Sequence, residues 1–283
     1  MDKEKKLIAI ILTCFNRKNK TLKCLESLEA QKFNEKIDIY ICDDCSTDGT
    51  AEEIKKKYPA VKLVKGTGHC YWARGMYRAL SAAVKVGYDY YLMVNDDVEF
   101  YPTMLQTMFD MYRNSKEHIG VVGATQSAIT GEKTYGGVNI KKKFARVVYI
   151  PVDMDATVRY CDVANWNCFL IDSEIMNSVG LIDKKYEHGI ADFDYCLMMK
   201  KKGYRVKVAL NYVGTCERNS NDNTCWDRRL SVKHRIKKLL APNGQPIKSQ
   251  WHFFWKHFGI SGIPCFLNVY LTFILYTMHL KEW

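Results

Sequence analysis

The first hundred residues alternate apolar runs of strand length with stretches of helical periodicity. Leu7–Cys14 is an Ile-rich apolar run of strand length. Leu22, Leu25 and Leu28 follow at helical spacing, and Ile37–Cys42 is a second strand-like run. Ser46-Thr47-Asp48-Gly49-Thr50 reads as a turn into a helix that stops before Pro59, and Val61–Val64 as a short strand. The pattern then predicts a helix over Tyr71–Val86, ended by Gly87, and a strand over Tyr90–Val94. A β-α-β-α-β order implies a parallel sheet with helices on its faces. Ligands of such sheets bind beyond the carboxyl ends of the strands, so polar residues just after each strand carry most weight.

The middle of the chain is less regular. A helix is expected over Thr103–Arg113, a strand over Ile119–Ala124 and a turn-rich loop over Ser127–Gly137. An apolar stretch, Asp162–Asp172, contains Trp166-Asn167. Ser173 caps a short helix ended by Gly180, and a helix over Asp192–Lys202 ends at Gly203. From Trp226 the chain reads as helical, broken by Ala241-Pro242-Asn243-Gly244. The expected organisation is an α/β unit over residues 1–225 and a basic, aromatic helical extension over 226–283.

The 283 residues are 47% apolar and 26% charged, which excludes a disordered, collagenous or coiled-coil chain. The start, charged over Met1–Lys6 and then apolar, mimics a signal peptide. Asn16-Arg17-Lys18 stands where small residues for cleavage would be, so a buried strand is the better reading. Cys42 and Cys45 lack a second pair at zinc-site spacing, and several of the eleven cysteines sit inside apolar runs, which suggests a reducing, cytoplasmic compartment.

Four groups could carry chemistry. Thr13, Phe15, Asn16 and Arg17 follow the first strand, and Asp43, Asp44 and Ser46–Gly49 follow the second. Asn95, Asp96 and Asp97 follow the Tyr90–Val94 strand, and His188 to Tyr195 opens a helix with Asp192 and Asp194. Asp, Asn and Ser are also ordinary turn and cap residues. Adjacent carboxylates at the end of a buried strand repel each other unless a cation is near, and Mg²⁺ or Mn²⁺ is the hard ion that suits them. Gly66-Thr67-Gly68 matches neither a dinucleotide loop nor a P-loop, and no Ser sits in a nucleophile elbow.

Three of these segments, Ile11–Arg17, Cys42–Thr50 and Leu92–Val98, resemble in order and spacing the family-2 inverting glycosyltransferases of the GT-A fold. Ala191-Asp192-Phe193-Asp194-Tyr195 resembles that family's later acidic motif, and the likeness covers roughly residues 7–215. The resemblance implies a Rossmann-like sheet with helices on both faces and a nucleotide-diphosphate sugar donor, UDP- or dTDP-linked. It implies that Thr13, Phe15 and Asp44 hold base and ribose, with Arg17 among the donor-binding residues. Asp96 would lie near ribose or diphosphate, Asp97 would hold Mn²⁺ or Mg²⁺, and Asp192 would be the catalytic base. Trp72, in Tyr71–Met76, resembles a segment of the subgroup that makes bacterial surface polysaccharides such as capsule and O-antigen, near the donor sugar. Trp166 and Asn167 fall where the family lines the acceptor site, and Asp194 would orient the acceptor. The sequence departs from the family pattern at Asn95 and Ala191, where Asp and Glu are usual. Gly214-Thr215-Cys216 stands where a metal-binding His is often found, leaving His188 or His234 as candidates for that place.

The net charge is +11, and residues 226–258 hold eight basic residues against one acid, Asp227, which is +7 of that total. Trp251, Phe253, Phe254, Trp255 and Phe258 are interleaved with them. A nucleic-acid surface, a helix lying on an anionic membrane and a core-packed helix with a solvated face all fit this pattern, and the membrane reading is favoured over nucleic acid. Ile260–Leu280 lacks Lys, Arg, Asp and Glu but is interrupted by Pro264 and Asn268, so it reads as a peripheral or packed helix. The expected acceptor is a lipid-linked glycan at the inner face of the cytoplasmic membrane, with a homo-oligomer left open. The rivals are an inactive nucleotide-sugar-binding scaffold and a basic nucleic-acid-binding protein.

Overall fold

The computed structural model describes residues 7–156 and 159–280. The charged start at residues 1–6 and the last three residues lie outside them. The first half contains β1 (Ile8–Cys14), α1 (Lys18–Glu29), β2 (Ile37–Asp43), α2 (Thr50–Lys57), β3 (Lys62–Lys65), α3 (Tyr71–Val86), β4 (Tyr90–Val94), β5 (Glu99–Phe100), α4 (Met104–Arg113) and β6 (Ile119–Gln126). A smaller region follows: β7 (Lys133–Tyr135), β8 (Gly137–Lys143), β9 (Arg146–Pro151), β10 (Tyr160–Cys161) and β11 (Val163–Ala164). The chain then forms β12 (Cys168–Asp172), α5 (Ser173–Val179), α6 (Ala191–Lys201) and β13 (Arg205–Thr215). It closes with α7 (Val232–Leu240), α8 (Ile247–Phe258) and α9 (Ile263–Thr277).

The large sheet has the order β10-β13-β6-β12-β4-β1-β2-β3. β3, β2, β1 and β4 are parallel, β12 is antiparallel to both β4 and β6, and β13 runs parallel to β6. Ile8 to Leu12 of β1 are fully buried because helices cover both faces of the sheet, which is why this strand reads as a continuous apolar run. One core cluster joins α3, α5 and α6 to one face, and a second joins α1 and α4 to the other. β8, β9 and β11 form a small separate sheet.

Sheet direction explains how distant segments meet. The parallel strands β1, β2 and β4 deliver their carboxyl ends to one edge. Antiparallel β12 pairs Cys168 with Val94, so Trp166 and Asn167, just before β12, arrive beside Asn95. β13 pairs Thr215 with Glu99, which brings Cys216 to the same edge.

Several local expectations are corrected. α5 is capped by Asp172, whose Oδ1 accepts the Ile175 N–H at 2.8 Å, so Ser173 is the first helical residue. The loop expected over Ser127–Gly137 contains β7. The long strand β13 and the β8–β9 hairpin lie in stretches given no element from the sequence.

The C-terminal helices pack on the same body. Phe253, Phe254 and Cys265 belong to the α3–α5–α6 core cluster, and Leu239 of α7 packs on Phe273 of α9. The helical run Ile247–Thr277 is long and apolar enough to cross a membrane by length and composition, an 18-residue window of it having mean hydropathy 1.7. Gly259, at φ +55°, interrupts it, and α9 packs back on α8 with the Phe266 ring 5.3 Å from that of Trp251. The Tyr270 hydroxyl donates to the Gln245 carbonyl at 3.0 Å, which ties α9 to the turn that precedes α8.

Candidate active site

A cavity of about 610 Å³ lies at the carboxyl edge of the sheet. Its wall includes Arg17, Trp72, Asn95, Asp96, Asp97, Trp166, Asn167, His188 and Asp192. The lining also includes Arg146 and Tyr149 of β9 and Phe254, Cys265 and Asn268 of α8 and α9. Segments far apart in sequence therefore share one chamber.

The carboxylate pair is organised by Arg17. Its Nη1 donates to Asp96 Oδ1 at 3.0 Å, and its Nη2 donates to Asp97 Oδ2. Asp96 also accepts from the Thr21 hydroxyl at 3.0 Å. Burial pushes the Asp96 carboxyl up to about 6 despite the guanidinium beside it. The Asn95 side-chain oxygen accepts the Trp72 indole N–H at 2.8 Å. This gives the departure at Asn95 a local reason, because an amide there fixes the Trp72 ring without adding a third negative charge. Trp72 meets Trp166 edge to face at 6.0 Å, and Trp166 in turn stacks on Phe169 at 5.3 Å.

Asp192 lies in the first turn of α6. Its Oδ1 accepts the Phe193 N–H at 2.9 Å, and the Trp166 N–H and the Asn165 side chain also donate to the carboxylate. Burial outweighs these donors and raises its pKa to about 6. A carboxylate with that value is ionised at neutral pH yet basic enough to accept a proton, as general-base work requires. Asn165 was not singled out from the sequence, and only its place immediately before Trp166-Asn167 could have drawn attention to it.

The remaining expected residues have different settings. The Thr13 hydroxyl donates to the Cys42 carbonyl at 2.9 Å, and Phe15 is 49% exposed at the end of β1. Asp44 is buried, and its two oxygens accept the N–H groups of Thr67, Gly68, Cys70 and Tyr71. A Cβ on Gly66 would lie 2.5 Å from Asp44 Oδ1, so only glycine lets this loop wrap the carboxylate so closely. With its lone pairs taken by backbone, Asp44 organises the loop that leads into α3. Thr13, Phe15 and Asp44 do not line the cavity.

Asp194 is turned away from the cavity. It is 3% exposed and accepts from Tyr186 Oη at 2.9 Å, Lys256 Nζ at 2.8 Å and His257 Nε2 at 2.7 Å. Although burial opposes ionisation, these partners hold its carboxyl below the usual aspartate value. Asp194 therefore ties α6 to α8, and the expected contact with an acceptor has no geometric basis. The helix spacing is the cause, since residues two apart do not share a face. His188 lines the cavity, with Nδ1 accepting the Trp72 N–H at 3.3 Å. His234 bonds Ser231 at 2.8 Å and is not among the cavity-lining residues.

A divalent cation would find a sparse protein donor set. No group of three or more His, Cys, Asp or Glu side chains that could hold a metal lies among the described residues. Cys216 approaches Asp97 Oδ1 at 3.8 Å, and burial holds its thiol up at about 12, so it is a poor ligand for a hard ion. One carboxylate, Asp97, is enough where substrate phosphates supply the rest, as is usual for Mg²⁺. The residues present fit a cation bound in that shared way.

Residues 9–161, more than half of the chain, match glycosyl transferase family 2. The chain belongs to this family. A search of curated proteins found no match to this chain. Among solved structures, the family-2 chain is similar to the mannosyltransferase PcManGT from Pyrobaculum calidifontis in complex with GDP-Man and Mn²⁺. The two are 13% identical with a TM-score of 0.57, covering 99% of this chain and 77% of that one. It is also similar to residues 1–349 of S. aureus TarS in complex with UDP, at 15% identity and a TM-score of 0.54, covering 90% and 72%. The same protein with UDP-GlcNAc gives 14% identity, a TM-score of 0.54 and coverage of 96% and 81%. At these identities the likeness establishes the GT-A fold of the family-2 chain.

Proposed function

We propose that this family-2 chain is an inverting transferase. It moves a sugar from a nucleotide diphosphate, UDP- or dTDP-linked, to a hydroxyl of a growing lipid-linked surface glycan. The observation that carries the reading is the placing of Asp192 and the Arg17–Asp96–Asp97 cluster in one cavity. The nucleotides in the solved structures named above support the donor class.

Asp97 is the residue that would hold Mn²⁺ or Mg²⁺, which when bound neutralises charge on the donor diphosphate. Arg17 adds a fixed positive charge beside the same groups and orients the carboxylates through its two donors. Trp72, locked by Asn95 and Trp166, gives the sugar a rigid wall. On the opposite side, Asp192 takes the proton of the acceptor hydroxyl as that oxygen bonds to the anomeric carbon. The bond from that carbon to the diphosphate oxygen breaks, and the electron pair leaves with the nucleotide diphosphate. Attack opposite the leaving group inverts the anomeric configuration. The acceptor enters between Asp192 and the wall formed by β9, α8 and α9. The basic, aromatic C-terminal helices lie against the cytoplasmic leaflet, where a lipid-linked acceptor resides.

The test is a panel of nucleotide sugars assayed by thermal shift with Mn²⁺ or Mg²⁺. Stabilisation by one donor class and release of its nucleotide diphosphate on adding glycan acceptors are expected. Salt-dependent binding of oligonucleotides with no response to any nucleotide sugar would overturn the reading.

A further inference from the structure

Among the described residues, twelve of the twenty exposed large apolar side chains lie between Val232 and Leu280. They form stripes at helical spacing: Val232, Ile236 and Leu240 on α7; Ile247, Trp251 and Trp255 on α8; Leu267, Leu271, Ile274 and Met278 on α9. An apolar surface on this scale marks an interaction site. Asp227 is the one acid from Trp226 to Leu280, and Arg229 pairs with it. Lys233, Lys237, Lys238 and Lys248 stand beside the apolar stripes.

A second element reaches the same region. The β8–β9 hairpin pairs Lys143 with Arg146 across the Phe144-Ala145 turn. Lys141, Lys142, Lys143 and Arg146 are exposed, and Phe144, at 86%, is the most exposed large apolar side chain among the described residues. A charged hairpin would ordinarily carry a polar residue at its tip. The tip is seated against α9: the Cys265 thiol lies 4.0 Å from the Phe144 carbonyl, and Lys142 is near enough to oppose the effect of burial on that thiol.

We infer that the β8–β9 hairpin is a second membrane-docking element. Phe144 enters the interface of an anionic bilayer while Lys141, Lys142, Lys143 and Arg146 engage lipid phosphates beside the apolar stripes of α8 and α9. This rests on the membrane-face reading of the C-terminal helices and adds an element that the first half of the chain carries. The occupant follows from chemistry. Cationic groups ringing an exposed aromatic and apolar stripes match headgroup phosphate and acyl chain together. A second copy of the chain would bring the same positive charge to the interface. Arg146, Cys265 and Asn268 also line the cavity that holds Asp192, so a docked bilayer holds its lipid-anchored molecules beside the cavity wall.

The experiment is co-sedimentation of the full chain with vesicles of phosphatidylcholine alone or with about a third phosphatidylglycerol. The variants are Lys141→Gln/Lys142→Gln/Lys143→Gln, Phe144→Ser, and a control that removes equal charge from α2, Lys55→Gln/Lys56→Gln/Lys57→Gln. All the altered side chains except Lys57 of the control, which pairs with Glu53, lack an ion pair among the described residues, so the folds should survive, as circular dichroism would check. Wild type should bind the anionic vesicles. Removing three lysines from the hairpin should lower the partition coefficient about a hundredfold, and the α2 control should lower it far less. Phe144→Ser should weaken binding severalfold at any salt concentration. Wild-type affinity in the hairpin variants, or an equal loss in the α2 control, would overturn hairpin docking and leave the helical reading standing. A wild-type chain that binds neither vesicle, or that buries this face in a dimer seen by ultracentrifugation, would overturn both.

Discussion

Replacing Asp192 by Asn should make the protein more stable at neutral and alkaline pH. Burial raises this carboxyl from the ordinary 3.8 to about 6, so the folded state holds the proton more tightly than the unfolded chain does. The stabilising effect of that proton is complete below about pH 4 and is lost as the pH rises through about 6. Above that pH the native site contains a partly buried anion, and the cost is at most about 3 kcal/mol at 1.36 kcal/mol per pKa unit. Asn removes the charge but keeps one acceptor for the Phe193 and Trp166 N–H groups, so about 1–2 kcal/mol of that cost should be recovered. The assay is urea denaturation of both proteins at pH 5 and pH 8. The variant should gain little at pH 5 and most of the difference at pH 8, which corresponds to a melting temperature higher by a few degrees. A variant less stable at pH 8, or a gain that does not grow between the two pH values, would refute burial as the dominant influence on Asp192.

Asp194→Ala should leave donor affinity unchanged but cost about 3 kcal/mol, because Lys256 and His257 lose a buried partner; a urea midpoint equal to wild type would contradict this tethering role. Asp97→Ala and added chelator should each reduce transfer at least tenfold while circular dichroism stays unchanged, and full activity in chelator would remove the cation from the account. Trp72→Phe breaks the bond to Asn95 and should raise the donor KM severalfold, as read by initial rates over a donor series. Cys45 is the one cysteine among the eleven that is not buried, so a thiol reagent should modify it well before the others under native conditions, as intact mass would show.

The alternating half of the fold was legible because its central strands are buried on both faces, α2 stops just before Pro59 and α3 ends at Gly87; Tyr71–Val86 and Tyr90–Val94 matched to the residue. β13 was missed because Arg205, Lys207 and Asn211 interrupt its apolar residues, and its partner β6 is distant in sequence. The β8–β9 hairpin was missed because Lys141-Lys142-Lys143 reads as a solvated loop, whereas cross-strand pairing holds it extended. At the site, motif order pointed to Asp96, Asp97 and Asp192, all of which line one cavity. It also placed Asp194 beside the acceptor, whereas Lys256 and His257 of α8 claim that carboxylate, a contact with a helix about sixty residues further along the chain. Nor could spacing reveal that Arg17 would pair with both strand-end carboxylates, since that contact spans about eighty residues of chain.

The most direct test of the central claim is single-turnover transfer by Asp192→Asn, with donor affinity measured alongside by calorimetry. A general base contributes about 10²–10⁴-fold, so the rate should fall by that factor while the donor dissociation constant stays within about twofold of wild type. The wild-type rate should rise with pH through about 6, where Asp192 loses its proton, and the residual rate of the variant should lack that rise. A variant that turns over at the wild-type rate, with the same pH profile, would show that another group takes the proton.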